Sequence, residues 1–170
     1  GSCFPKDVKA FSSTAKKFNI NLSILEAVHK SNQNRFKKIS NKIIKNIDKK
    51  SIICVLGLSF KPNTDDIRES TSIKIASDLF KNGYKINCFD PKAMNNAKKE
   101  FPHYNYFNSA YDACKNSDVI IIGTEWNEFR ALNFLEISKL VKRKKIFDLR
   151  NIYDGEELKK IGYEYYGTGK

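Results

Sequence analysis

Residues 51–80, SIICVLGLSFKPNTDDIRESTSIKIASDLF, leave little choice of fold. Ile52 to Leu58 is a short apolar run rich in branched side chains, the pattern of a strand buried on both faces of a parallel sheet. From Ser70 onward Ile73, Ile75, Ala76, Leu79 and Phe80 recur near helical period, which predicts a helix packed on that strand. Between them, Phe60 to Arg68 gathers a lysine, a proline, two carboxylates and an arginine beyond the carboxyl end of the strand. In open α/β sheets that is where ligands bind.

The same alternation continues to the end of the chain. Asn82-Gly83 closes the helix, and Tyr84 to Asp90 reads as a second strand. A weak helix over Pro91–Glu100, a short strand over Tyr104–Phe107 and a short helix over Ser109–Lys115 follow. Strands are then predicted at Asp118–Thr124, Lys145–Leu149 and Tyr163–Tyr166, with helices at Asn133–Val141 and Glu156–Ile161. Strands and helices alternating in this way predict an α/β fold: a Rossmann-like parallel sheet of about five or six strands with helices on both faces. Ahead of it, a helix entered through Pro5 and Asp7 runs to about Phe18, and Asn21 is placed to cap a second. From Leu22 to about Ile47 the residues Leu25, Val28, Phe36, Ile39, Ile43 and Ile47 form one apolar stripe along a helix of some seven turns. The predicted boundary falls at Asp48–Lys50, giving a helical part over 1–48 and a sheet domain over 49–170.

Charge and cysteines narrow the function classes. Net charge is +12, but the lysines are scattered among Asn and Ile, and only Lys142–Lys145 forms a tight run, read as a solvated helix end. No interleaved basic and aromatic patch marks a nucleic-acid binder, and no apolar run is long enough for a membrane span. The chain opens with Gly-Ser rather than Met, so its natural start is expected to be missing or processed. Cys54, Cys88 and Cys114 fall in predicted strands and a helix, as buried thiols of a reducing cytoplasm do, and no spacing suits a metal. Cys3 differs: a thiol just before a helix N-terminus and close to Lys6 is in a setting that favours thiolate. From spacing alone it is either a nucleophile or a fortuitous terminal cysteine.

Two further residues invite a choice. Asp90, at the end of the second strand, stands where a dinucleotide fold holds a ribose, yet the first turn, Gly57-Leu58-Ser59-Phe60-Lys61, has one glycine instead of three. Asp90 is therefore read as a turn residue before Pro91. Trp126 and Phe129, beyond the Asp118–Thr124 strand, are read as packing, and His29 as a surface or interface residue.

GSCFPKD at 1–7, GLSFKPNTDDIRES at 57–70, FDP at 89–91, TEW at 124–126 and FDLR at 147–150 together resemble the UDP-glucose 6-dehydrogenases of the UDP-glucose/GDP-mannose dehydrogenase family. They occur in the family's order across essentially the whole chain. The resemblance starts at the catalytic-cysteine loop, so it implies a C-terminal part of such an enzyme, without the N-terminal domain that binds most of the NAD. It implies oxidation of UDP-glucose to UDP-glucuronate with two NAD, through a thiohemiacetal and thioester on Cys3, with Asp7 ordering water and taking part in proton transfer. By the same resemblance Phe60, Lys61 and Arg150 bind the UDP-sugar, while Lys6 and Arg68 lie toward the cofactor. Without the family, Arg68 reads equally as a salt-bridge partner of Asp65, Asp66 or Glu69. The resemblance further implies an enzyme of polysaccharide-precursor synthesis and an isolated chain without activity, while the cysteine pattern suits a soluble cytoplasmic protein and the long apolar stripe of the helix at 21–48 predicts a homodimer through it. The alternatives are a relative acting on GDP-mannose or a UDP-N-acetylhexosamine and, in other classes, a basic nucleic-acid-binding module or a non-catalytic dimerisation fragment.

Overall fold

The computed structural model describes residues 4–169, so Cys3 lies outside the described residues. Two helices open the chain, α1 (Phe4–Lys17) and α2 (Ser23–Lys45). Six parallel strands follow: β1 (Ile52–Leu56), β2 (Lys85–Phe89), β3 (Asn105–Tyr106), β4 (Val119–Ile122), β5 (Lys145–Asp148) and β6 (Glu164–Gly167). The connecting helices are α3 (Thr71–Lys81), α4 (Met94–Glu100), α5 (Ala110–Cys114), α6 (Asn127–Arg130), α7 (Phe134–Leu140) and α8 (Gly155–Lys160). The strand order β3-β2-β1-β4-β5-β6 is that of a doubly wound sheet, with its switch point between β1 and β4.

Alternation along the central strands divides the core into two layers. Ile53, Val55, Ile86, Cys88, Val119, Ile121 and Phe147 face α2, α3 and α4. Cys54, Leu56, Ile120, Ile122 and Ile146 face α5, α6, α7 and α8. Full burial of a branched aliphatic side chain is worth about 1.5–3 kcal/mol, so β1 and β4, covered on both sides, carry much of the stability.

The stripe on α2 divides along its length. Ile43 is completely buried in the sheet core, with Phe36, Ile39 and Ile47 packed around it. Toward the other end Ile24 and Val28 are exposed, as are Phe11, Phe18 and Ile20 of the α1–α2 hairpin. The last turns of α2 thus belong to the sheet's core even though the sequence places them before the boundary.

Several local expectations meet corrections. Leu22 rather than Asn21 occupies the N-cap of α2, with no side-chain capping bond. Residues 127–130, to which no element was assigned, form α6, which begins after Trp126. Lys145 is not solvated: its side chain is 13% exposed and donates to the Asn46 carbonyl at 2.6 Å while pairing with Glu164 at 3.0 Å, joining the end of α2 to β5 and β6. Arg143 pairs with Asp48.

Candidate functional site

All six strands run the same way, so the loops after β1, β2, β4 and β5 share one rim. At the switch point the backbones of the β1 and β4 loops touch. A Cβ on Gly123 would lie 2.5 Å from the Gly57 carbonyl, and one on Gly57, whose φ is +94°, 2.6 Å from Thr124. Only glycine permits this approach. Thr124 Oγ1 then donates to the Ser59 carbonyl at 2.6 Å, fixing the two loops to one another.

Arg150, two residues past β5, reaches across this junction. Its Nε donates to the Gly123 carbonyl at 2.8 Å and pairs with Glu125 at 3.1 Å, while Nη2 lies 3.5 Å from the Phe60 carbonyl. Lys61 is the next residue along, exposed, with Nζ 5.3 Å from the centre of the Phe60 ring. Arg150 and Lys61, distant in sequence, therefore stand on loops of the same edge of the sheet, the Arg150 guanidinium reaching the residue that precedes Lys61. Phe60 is half-buried, and its N–H closes the 60–66 loop onto the Asp66 carbonyl at 3.0 Å.

Arg68 is fully exposed at its head and grips Asp66, with Nη2 2.7 Å from Oδ2 and Nε 3.0 Å from Oδ1. This salt bridge, the reading open to Arg68 without the family, forms in the chain as it stands. Hydrogen bonding from Arg68 holds the Asp66 carboxyl below its ordinary range. Glu69 is likewise held low by its bond to Lys74, and Lys9 of α1 approaches it at 4.0 Å, which brings α1 to the same rim. Lys6 and Asp7 lie exposed in the first turn of α1. Beside them a cleft of about 670 Å³ opens between Phe4 and Pro5 of α1, Arg35 and Lys38 of α2, and Leu149 and Tyr166 of the sheet. The start of α1 and the residue preceding Arg150 thus line one space.

Asp90 is 1% exposed and engages donors on three sides. Its Oδ2 accepts from the Leu58 and Ser59 amides at 2.7 and 3.0 Å, from Ser59 Oγ at 3.0 Å and from Trp126 Nε1 at 3.2 Å. Its Oδ1 accepts from the amides of Lys92 and Ala93 at 2.9 and 2.7 Å. The turn reading holds, with a wider reach than a turn needs, and the carboxylate has no capacity left for a ribose. The first turn, with one glycine, also lacks the three-glycine pattern of a dinucleotide cradle. Trp126 and Phe129 are buried, as expected of packing residues.

Asp148, present in the FDLR stretch but assigned no role there, plays the same part at the end of β5. It is fully buried and accepts from the amides of Arg150, Ile152 and Tyr153 at 3.0, 2.8 and 3.1 Å and from Tyr165 Oη at 3.0 Å. The available signal was the recurrence of Phe-Asp at two strand ends, 89–90 and 147–148. Among the described residues no cluster of metal-ligating side chains forms, and no helix is long and apolar enough to cross a membrane.

A doubly wound parallel sheet with Arg150 anchored to backbone carbonyls at its switch point, and Lys61 on the loop that it reaches, defines an α/β domain with a ligand-sized rim at its strand ends. Residues 54–155 match the UDP-binding domain of the UDP-glucose/GDP-mannose dehydrogenase family, and residues 1–34 match that family's central domain. The chain belongs to the UDP-glucose/GDP-mannose dehydrogenase family. It is 45% identical over 174 aligned residues to the UDP-glucose 6-dehydrogenase of Rickettsia conorii, covering 99% of this chain and 40% of that protein. With the UDP-glucose 6-dehydrogenase of Bacillus subtilis it shares 36% identity over 173 residues, all of this chain and 39% of the relative. The structure of a UDP-glucose dehydrogenase from Pyrobaculum islandicum superposes with a TM-score of 0.82 at 27% identity, over 98% of this chain and 37% of the other. A GDP-mannose dehydrogenase from Pseudomonas aeruginosa gives 0.78 at 26% identity, over 100% and 39%. The chain therefore spans about 40% of the length of the relatives it matches.

Proposed function

We propose that the chain is the C-terminal part of an NAD-dependent UDP-glucose 6-dehydrogenase and that its sheet domain binds the UDP-sugar. The observation that carries this reading is the convergence of Arg150 on the Phe60 carbonyl beside Lys61, at the switch point of the sheet. A guanidinium and an ammonium so placed suit the two phosphates of a nucleotide diphosphate, the first by its planar fork and the second as a point charge. The Phe60 ring supplies apolar surface alongside.

In this reading Cys3 is the nucleophile and carries the acyl group as a thioester, and Asp7 orders the water that releases the carboxylate. The cleft between the start of α1 and Leu149 supports it by bringing the neighbours of Cys3 and Arg150 to one space. NAD binds chiefly to a region of the enzyme outside these residues, with Lys6 and Arg68 facing it; Arg68 then leaves or shares its clasp on Asp66. Residues 1–48 form the end of the central helical domain and 49–170 the UDP-sugar domain. Three free buried cysteines fit a reducing compartment such as the cytoplasm.

The exposed apolar side chains of the α1–α2 hairpin favour a homodimer through 21–48. Sedimentation at tens of micromolar is expected to show dimers, and a monomer there would count against that interface.

Calorimetry of this chain with UDP-glucose, UDP and GDP-mannose, repeated for Lys61→Ala, tests the site. The expected result is a preference for uridine ligands and a loss of about tenfold or more in affinity on substitution. Equal binding of the guanosine ligand would favour a GDP-mannose enzyme, and uridine binding indifferent to Lys61→Ala would refute the placement of the ligand. The isolated chain is expected to form no NADH from UDP-glucose.

A further inference from the structure

We propose that Asp90 and Asp148 are a matched pair of positioning residues that set the two phosphate-binding cations; the ligand half of this inference rests on the nucleotide-sugar reading above. Each is a buried carboxylate at the carboxyl end of a strand, β2 or β5, one on each side of the central pair β1 and β4. Asp90 collects amides of the neighbouring β1 loop, and Asp148 those of the loop that follows it. Asp90 draws in Leu58 and Ser59, immediately before Phe60 and Lys61. Asp148 draws in Arg150 itself, with Ile152 and Tyr153 behind it.

The two braces meet through the loops they hold. Ser59 links Asp90 to β4 through Thr124, and Arg150 links Asp148 to the same region through Gly123 and Glu125. A loop whose amides converge on a buried anion has few alternative conformations, because any excursion strands a charge away from its donors. Pre-set loops lose less conformational freedom when a diphosphate arrives, and the saving appears as affinity. The carboxylates themselves touch no ligand and act through Lys61 and Arg150.

Trp126, the only tryptophan in the chain, donates its indole N–H to Asp90 and to Ser59, so it reports on one brace and not the other. The test uses this chain with Asp90→Asn and Asp148→Asn, which keep side-chain size and remove charge, and with Ser59→Ala as a gentler break should Asp90→Asn fail to fold. Three readouts are taken: amide hydrogen exchange, the indole N–H resonance, and calorimetric affinity for UDP-glucose.

Asp90→Asn, or Ser59→Ala in its place, is expected to speed exchange at Leu58 and Ser59 and to move the indole resonance, leaving Ile152 and Tyr153 protected. Asp148→Asn is expected to do the reverse. Each Asp→Asn change is expected to weaken UDP-glucose binding about tenfold to a hundredfold, and Ser59→Ala by less. Loosening of both loops by either variant would mean a general structural role and would overturn the inference, as would unchanged exchange or affinity within twofold of the wild type. Should the wild-type chain bind no UDP-glucose, the nucleotide-sugar reading falls with the ligand half of this one, and exchange and the indole signal alone decide whether the braces exist.

Discussion

Replacing Arg150 by methionine keeps the aliphatic stem and removes the guanidinium, and the structure says what that should cost. The bond from Nε to the Gly123 carbonyl, at 2.8 Å, has a charged donor and leaves a carbonyl at the loop junction without its partner. Such bonds contribute about 1.5–3 kcal/mol. The ion pair with Glu125 is worth less, because the side chains remain 31% and 36% exposed; screening holds it to below about 1 kcal/mol. The contact to the Phe60 carbonyl, at 3.5 Å, adds little. The sum is a loss of about 2–3 kcal/mol in the ligand-free chain. At about 2–4 °C per kcal/mol for a protein of this length, the melting temperature should fall by about 4–12 °C. Urea unfolding at pH 7 measures the loss directly, and an unchanged slope would show that the unfolded state is not what changed. Glu125→Gln alone and with Arg150→Met completes a double-mutant cycle, with a coupling of about 0.5–1 kcal/mol expected from the ion pair. A single variant within 0.5 kcal/mol of wild type, together with strict additivity in the cycle, would refute the idea that the guanidinium is anchored before ligand arrives.

Other consequences can be checked on the same material. Burial drives the Cys54 thiol well above its ordinary range, helped by Cys114 at 3.7 Å, and burial raises Cys88 as well. Iodoacetamide at pH 8 should leave Cys54, Cys88 and Cys114 unlabelled in the folded chain and label all three in urea; rapid labelling of any of them in the folded state would contradict the core described above. Asp66 and Glu69 have folded-state pKa values held below their unfolded ones, so their contribution is present above the unfolded carboxylate range and is lost as pH falls through the folded values. Protection of the amides in 60–69, taken relative to their intrinsic exchange rates, should therefore fall below about pH 4 while β1 and β4 stay protected, and a loop equally protected at pH 3 and pH 7 would exclude those ion pairs as its fastening. Tyr104 and Tyr163, nearly inaccessible, have their phenol pKa values raised by burial. The unfolded chain ionises them first, so stability is expected to decline as pH rises past about 10, and flat stability from pH 9 to 11 would count against their burial.

The elements visible in the sequence are those made by local pattern. Ile52–Leu56 and Val119–Ile122 are continuous apolar runs that only a strand covered on both faces can bury, and Ser70, Ser109 and Asn133 announce helix starts that their side chains do cap. Motif residues at the ends of such strands, Lys61 and Arg150, could be placed on one rim because parallel strands send their carboxyl ends the same way. The turn after Trp126 was not legible, since a helix of four residues has no period to detect. Nor was the service of Lys145 as a part-buried brace, because both its partners are distant in sequence, Asn46 most of all.

The chain's own order of residues determined that it would form a parallel α/β sheet and which side chains would stand beyond its strands, because hydrophobic period and capping act over a few residues. Tertiary structure decided what those side chains do with one another. Asp90 takes donors from residues 58, 59, 92, 93 and 126, and Arg150 finds its anchors at 60, 123 and 125. A carboxylate at the end of a strand has the same sequence signature whether it holds a ribose or holds the protein's own loops. The difference lies in which amides the folded chain brings within 3 Å of it.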